Sequence, residues 1–167
     1  MLKKVLTPGL HLKIPFWQKA KLFNTQTLEY SVSRKFNPDN EQGLGDQPVH
    51  AQTADGKRIS IEGTVLLRLD INQVPTIWQN VGEDFVSKIV RPTIRSRMRM
   101  IASRYNHQDI CSTHRDKVEV ETKNELERIF YPRGIFVENV LLSDITHVSG
   151  GGNERGHKDK DGHEDEE

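Results

Sequence analysis

Three side chains able to bind a metal or act as a nucleophile lie close together in the sequence: His107, Cys111 and His114. Their i, i+4, i+7 spacing puts them on one side of a helix if the segment is continuous. There they could share a zinc ion, or Cys111 could serve as a nucleophile beside His114. Asn106 and Thr113 are both helix-capping residue types, however, so the segment reads as two starts rather than one unbroken helix. The sequence indicates neither the fourth ligand of a closed structural zinc site nor an acid to orient a histidine. The expectation is no metal, no cofactor and no catalytic residue. Elsewhere there are no paired carboxylates at a telling spacing, no glycine loop suited to phosphate and no Ser/His/Asp arrangement of note.

Two other groups of residues carry binding chemistry. Lys88, Arg91, Arg95 and Arg99 recur at helical spacing opposite an apolar stripe, a face that would suit phosphates, an anionic surface or an acidic partner. No aromatic residues interleave with these arginines and the body is only mildly basic, so nucleic acid is not expected. The segment Pro8–Trp17 is densely apolar, and Leu10, Leu12, Phe16 and Trp17 are candidates for shallow contact with a membrane, with Lys13, Lys19 and Lys21 positioned to meet anionic headgroups.

The element that must organise these groups is the stretch Asp55–Asp70. It opens on Asp55-Gly56, which suits a tight hairpin turn, and then alternates strictly. Ile59, Ile61, Gly63, Val65, Leu67 and Leu69 fall on one face. Gly63 breaks the apolar row, the mark of a bulge or of a close backbone approach. Before this strand, Leu10–Phe16 alternates, Lys21–Ser33 is a second strand candidate, Arg34–Pro48 reads as a turn-rich connection, and Val49–Thr53 pairs with the central strand as a hairpin. After it, Asp70 suits the cap of a short helix with Val74, Ile77 and Trp78. A long helix is expected over roughly Glu83–Tyr105, kinked or restarted at Pro92, with Val86, Val90, Ile94, Met98, Ile101 and Tyr105 inward. Thr113-x-x-Asp116 has the form of a capping box for a helix over roughly Arg115–Tyr131, with Thr122, Leu126, Ile129 and Phe130 inward. Gly134–Ile145 is a last strand, apolar on both faces, which points to a central or well-covered position. Strands, then helices, then a closing strand make an α+β fold, a mostly antiparallel sheet with helices packed on one side.

With 167 residues, 34% hydrophobic and 29% charged, one domain is expected. The charge totals balance at 24 against 24, but unevenly. Residues 149–167 hold three basic and seven acidic side chains, which leaves the body with an excess of four positive charges. This glycine-rich acidic tail has no apolar periodicity and is expected to be disordered. One cysteine excludes an internal disulfide framework. No run of about 18 apolar residues is present.

Four stretches, in order, give the chain a resemblance to the SPFH or band-7 family (stomatin, prohibitin, flotillin and HflK-HflC), and within it to the prohibitin branch. They are Pro8-Gly9-Leu10-His11-Leu12-Lys13-Ile14-Pro15-Phe16; Thr53-Ala54-Asp55-Gly56 with the alternating strand; Arg91-Pro92 with the basic helix to Tyr105-Asn106, then Asp109-Ile110 and Arg115; and Gly134-Ile135-x-Val137-x-x-Val140-x-Leu142-x-Asp144-Ile145. The resemblance covers about residues 8–147. It places an SPFH domain at 1–148, short of the family's usual N-terminal anchor and first strand, followed by the acidic tail at 149–167 where relatives continue into a coiled coil. It implies a non-enzymatic, membrane-associated scaffold, peripheral in this chain, that organises membrane microdomains and protein quality control by oligomerisation. The partners it implies are a lipid surface, other copies or paralogous SPFH proteins, and a membrane protease of the FtsH type. Without the coiled coil, a monomer or weak oligomer is expected. The alternative reading is a soluble module that binds an acidic partner through the basic helix 83–105.

Overall fold

The computed structural model describes residues 26–37 and 44–148. The predicted strand at Leu10–Phe16, the start of the Lys21–Ser33 strand and the acidic tail lie outside them.

Strict alternation makes one long strand, β4 (Arg58–Leu69), and the sheet is built around it. Ile59, Ile61, Val65, Leu67 and Leu69 are buried, and with Gly63 they form the inward row that the alternation predicts. One edge of β4 is shared: β3 (Val49–Gln52) pairs with Arg58–Ile61 across the Asp55-Gly56 turn, and β1 (Leu28–Val32) pairs with Gly63–Leu67. The other edge is taken along its length by β5 (Ile135–His147). These pairings are antiparallel, whereas β2 (Leu44–Asp46) runs parallel to β1. The sheet is therefore mixed, though mostly antiparallel. The sequence treats Leu44–Asp46 as part of a connection, because three residues are too few to show alternation. Gly45 permits this pairing, since a Cβ there would collide with the Ser31 carbonyl oxygen and the Phe36 ring.

The helices cover the inward face. α1 (Val74–Asn80) buries Ile77. Asp70 does not cap it directly; its carboxylate accepts the Asn72 N–H at 2.9 Å and shapes the turn before the helix. The long predicted helix restarts at the proline, as one of its two expected outcomes. A π-helical turn over Val86–Val90 comes first, and α2 (Arg91–Ala102) then carries Pro92 in its first turn. Proline has no N–H for the Lys88 carbonyl, and the Arg91 N–H instead reaches back to Val86. Val90, Ile94, Met98 and Ile101 are buried, while Val86 and Tyr105 are partly so. α3 (Arg115–Phe130) buries Val118, Thr122, Leu126 and Phe130. Its N-cap position is His114 rather than Thr113.

β5 corrects one expectation. Among the described residues it pairs with β4 alone and is an edge strand. Its apparent apolarity on both faces has a different cause. The register slips between Glu62/Gly63 and Leu66/Leu67, so that Ser143 and Glu138 are extra residues on β5. Each bulge shifts the alternation by one, and Ile135, Val137, Val140 and Leu142 all turn inward. At the first bulge Gly63 meets β5 at close range: a Cβ there would stand 2.5 Å from the Leu141 carbonyl oxygen. Replacing Gly63 with Ala should therefore destabilise the domain by about 1–3 kcal/mol, because backbone rather than a movable side chain occupies the space. Urea unfolding measures this, and an unchanged midpoint would show that the bulge relaxes freely.

Candidate functional site

The helix face that carries the predicted binding residues begins at Arg91, and the structure shows what it touches. Asp46 ends β2 with its side chain only 9% exposed. Arg91 grips it with two hydrogen bonds, Nε to Oδ2 at 2.7 Å and Nη2 to Oδ1 at 3.0 Å. Arg95 Nη1 donates to the same Oδ2 at 2.8 Å and to the Gln47 carbonyl at 2.9 Å, and the Gln47 N–H donates to Oδ1 at 2.8 Å. Burial alone would raise the Asp46 carboxyl. The Arg91 hydrogen bond, the Gln47 N–H and the two guanidinium charges outweigh it and hold the group below its ordinary value. The same carboxylate strengthens the charge on Arg91. Beneath it, Tyr30 is pushed up to about 12 by burial and then by the negative charge of Asp46, and its hydroxyl has no hydrogen-bond partner among the described residues.

The outer members of the face are also engaged. Arg99 Nε donates to the His50 carbonyl at 3.0 Å, and Lys88 Nζ donates to the Val81 carbonyl at 3.0 Å. Thus Arg91, Arg95 and Arg99 run along the backbone of residues 46–50. Arg91 remains about half exposed (53%) and available to an outside anion, whereas Arg95 does not (21%). Asp46 escapes sequence reasoning because it sits among turn residues and nothing nearby marks it as the acid facing an arginine pair. The apolar candidates Leu10, Leu12, Phe16 and Trp17 lie outside the described residues.

The His107, Cys111 and His114 group separates. The segment contains a π-helical turn at Asp109–Thr113, and among the described residues no group of three or more His, Cys, Asp or Glu is arranged to hold a metal ion. Cys111 Sγ lies 3.6 Å from His107 Nε2, while His114 Nδ1 faces Asp109 at 3.6 Å. Burial and then the charge of Asp144 push the Cys111 thiol up, the opposite of what a nucleophilic thiolate needs. Asp55 has a structural role. It accepts the Thr53 hydroxyl at 2.6 Å and the His107 N–H at 2.9 Å, so the hairpin turn is tied to the start of the α2–α3 connection.

The sheet face away from the helices forms a second surface. Cross-strand polar pairs cover it: Ser31 with Thr64 at 2.9 Å, Arg34 with Glu62 at 2.7 Å, and Arg68 with Glu138 at 2.9 Å. Arg68 also lies over the Phe136 ring, 5.3 Å from its centre, and Leu141 is exposed nearby. Among the described residues no helix is long and apolar enough to cross a membrane.

Comparison with known proteins gives a consistent result. Residues 1–148 match the model of the SPFH domain / Band 7 family. The chain is 24% identical to prohibitin-1 of Saccharomyces cerevisiae over 144 residues, covering 86% of this chain and 45% of that protein. It is 21% identical to prohibitin 1 of Mus musculus over 142 residues (85% and 46%). It is 22% identical to the mitochondrial prohibitin-1 of Arabidopsis thaliana over 143 residues (86% and 44%). The chain thus spans less than half the length of these relatives.

The Asp46 cluster yields a prediction with a definite sign. Its carboxyl titrates lower in the folded chain than its ordinary 3.8, so its contribution to stability is complete above that value. The contribution is lost as the pH falls from about 4 through the depressed folded value. Asp46→Asn should cost about 1–3 kcal/mol at neutral pH, toward the lower end because the half-exposed Arg91 regains water. It should also flatten the acid limb of the stability curve. Urea midpoints between about pH 7 and pH 3 test both effects, and a variant with the wild-type acid limb would exclude Asp46 as its source.

Proposed function

The chain belongs to the SPFH domain / Band 7 family, and from that premise we propose that it is a non-enzymatic scaffold and assembly domain working peripherally at a membrane. The observation that carries this reading is the family match over residues 1–148, together with the likeness to prohibitins of yeast, mouse and plant. In this reading Leu10, Leu12, Phe16 and Trp17 dock the domain on lipid. Other copies, or paralogous SPFH proteins, associate laterally to organise membrane microdomains. A membrane protease of the FtsH type is the kind of protein such an assembly would enclose in quality control. The two-layer architecture supports a lateral role, since one sheet face is left to polar pairs with Phe136 and Leu141 among them.

A second reading is favoured by the Asp46 cluster: the basic helix 83–105 binds an acidic partner. Arg91 and Arg95 already hold a carboxylate in charge-assisted geometry, and Arg91 keeps an exposed side.

Flotation with anionic vesicles separates the two. The chain should float at low salt, and changing Phe16 and Trp17 to Ser should reduce flotation on the order of tenfold or more, since two large aromatic groups lose their apolar contact. Flotation that survives those changes but disappears in high salt would move the lipid contact to the arginine face. A chain that never floats would place membrane attachment outside this domain and leave the acidic-partner reading standing.

A further inference from the structure

At the far end of α2 from Pro92, an open groove of about 700 Å³ lies where the helix passes β3 and the start of β4. His50, Gln52, Arg58, Arg99, Ser103 and Val148 border it, and among the described residues no carboxylate does. Neighbouring cations are already paired: Lys57 faces Asp55 at 3.8 Å and Arg104 faces Glu121 at 3.5 Å. Arg58, by contrast, is exposed, and its side chain has no hydrogen bond or ion pair among the described residues. Arg99 commits only its Nε, to the His50 carbonyl at 3.0 Å, and neither of its Nη groups meets a carboxylate among the described residues. The end of a helix ordinarily repels an anion, because its last carbonyls carry partial negative charge. Here Ser103 covers two of them: its N–H donates to the Arg99 carbonyl at 3.1 Å and its hydroxyl to the Met100 carbonyl at 2.8 Å. Two guanidinium groups from different elements therefore border one groove with unmet capacity for an anion.

The setting selects among anions. Asp46 shows how this fold holds a carboxylate: by burial, two guanidinium groups and a backbone N–H. An open groove gives a carboxylate much less, since an exposed pair of single charges contributes little. A phosphate monoester carries about 1.5 to 2 negative charges and three acceptor oxygens, so one group can meet both arginines, each through a planar fork of N–H donors. A bilayer fits less well. Attraction to anionic lipid builds on clusters of several cations, and here Lys57 and Arg104 are matched by acids, which leaves two charges for a single group rather than for a surface. The groove is far larger than a phosphate group and has room for residues on either side of it.

We propose that this groove is a phosphate site in which Arg58 and Arg99 together hold the phosphorylated serine or threonine of a partner protein. The inner arginines do not compete for it, because Arg95 is largely buried and both Arg91 and Arg95 are committed to Asp46. The proposal rests on the reading in which the basic helix binds an acidic partner. It names the chemistry of that partner and moves its site from Arg91 to the opposite end of α2.

The test titrates the full chain, labelled with ¹⁵N, with a capped alanine tripeptide carrying phosphoserine at its centre and with the same peptide carrying glutamate there. At about 50 mM salt, where exposed charges are weakly screened, amides of residues 50–52, 58 and 99–103 should shift saturably, and the phosphoserine peptide should bind at least about tenfold more tightly than the glutamate one. Arg58→Gln and Arg99→Gln should each weaken it by about tenfold while the spectrum keeps its folded dispersion. Lys57→Gln removes the same charge beside the groove and should leave the affinity within about twofold, because Lys57 is not a ligand. Equal affinity for the two peptides, or shifts centred on Arg91, would overturn the phosphate site and leave the acidic-partner reading standing. No shift with either peptide would remove both at this helix. Vesicles of phosphatidylcholine with phosphatidic acid that bind more tightly than the phosphoserine peptide, and lose binding in the same two arginine variants, would overturn the protein source and assign the phosphate to a lipid headgroup.

Discussion

A carboxylate taken almost out of water is stable only if cations and hydrogen bonds replace its solvent, and Asp46 sets that condition for the whole domain. Its side chain ends β2, its carbonyl accepts the Ser33 N–H at the end of β1, and the residues after it turn into β3. The arginines that satisfy it come from α2, and their spacing matches the chain they face. Arg91 to Arg99 advances about 12 Å along the helix, past the bend at Gln47 that joins β2 to β3. Arg91 and Arg95 converge on Asp46, Arg95 adds the Gln47 carbonyl, and Arg99 takes the His50 carbonyl. The π-helical turn ahead of Pro92 sets where this run begins, because the regular α-helix starts at Arg91.

The other side of the sheet is held differently. Among the described residues β5 has an open edge, and it carries two bulges, a combination that leaves backbone groups to be satisfied from elsewhere. α3 satisfies them at the first bulge. Glu119 accepts the Leu142 N–H at 2.8 Å, and the Arg115 guanidinium donates to the Leu142 carbonyl. An acid and a base one helical turn apart thus treat a single strand residue as a partner, and they fix α3 over the point where Gly63 lets β5 approach most closely. At the second bulge the extra residue Glu138 bonds outward to Arg68 and Thr27. The bulges turn Ile135, Val137, Val140 and Leu142 toward the helices, while Phe136, Leu141 and the extra residue Glu138 stay on the opposite face.

Much of this was legible from period and punctuation. The alternation of Ile59 to Leu69, the turn at Asp55-Gly56, the buried stripe from Val90 to Ile101 and the restart at Pro92 are local signals, each with one physical cause. The failures share another cause. β2 is too short to show a period, and its parallel pairing depends on Gly45 lying under Ser31, a contact between residues distant in sequence. The inward phase of β5 depends on bulges that only pairing with β4 creates. Asp46 looks like a turn residue because turn residues and buried anchors are the same amino acid; what distinguishes them is a guanidinium 45 positions along the chain. For His107, Cys111 and His114 the two capping residues Asn106 and Thr113 already spoke against one continuous helix, and the segment contains a π-helical turn at Asp109–Thr113.

The arginine face of α2 shows why a charged helix face is ambiguous until its neighbours are known. An amphipathic helix places charge away from the apolar stripe by default, so four cations in a row mean only that this side avoids the core. Packing on β3 then sorts them by depth. Arg95, nearest the sheet, loses most of its water and must be paired within the fold; Arg91 shares its carboxylate but keeps one side in solvent; Arg99 satisfies only its Nε on backbone. The capacity left for an outside anion therefore increases toward the two ends of the face rather than at its middle. A surface that looks uniform in sequence is in fact a structural clasp with binding capacity at its margins. Changes at Arg95 should therefore read mainly on stability.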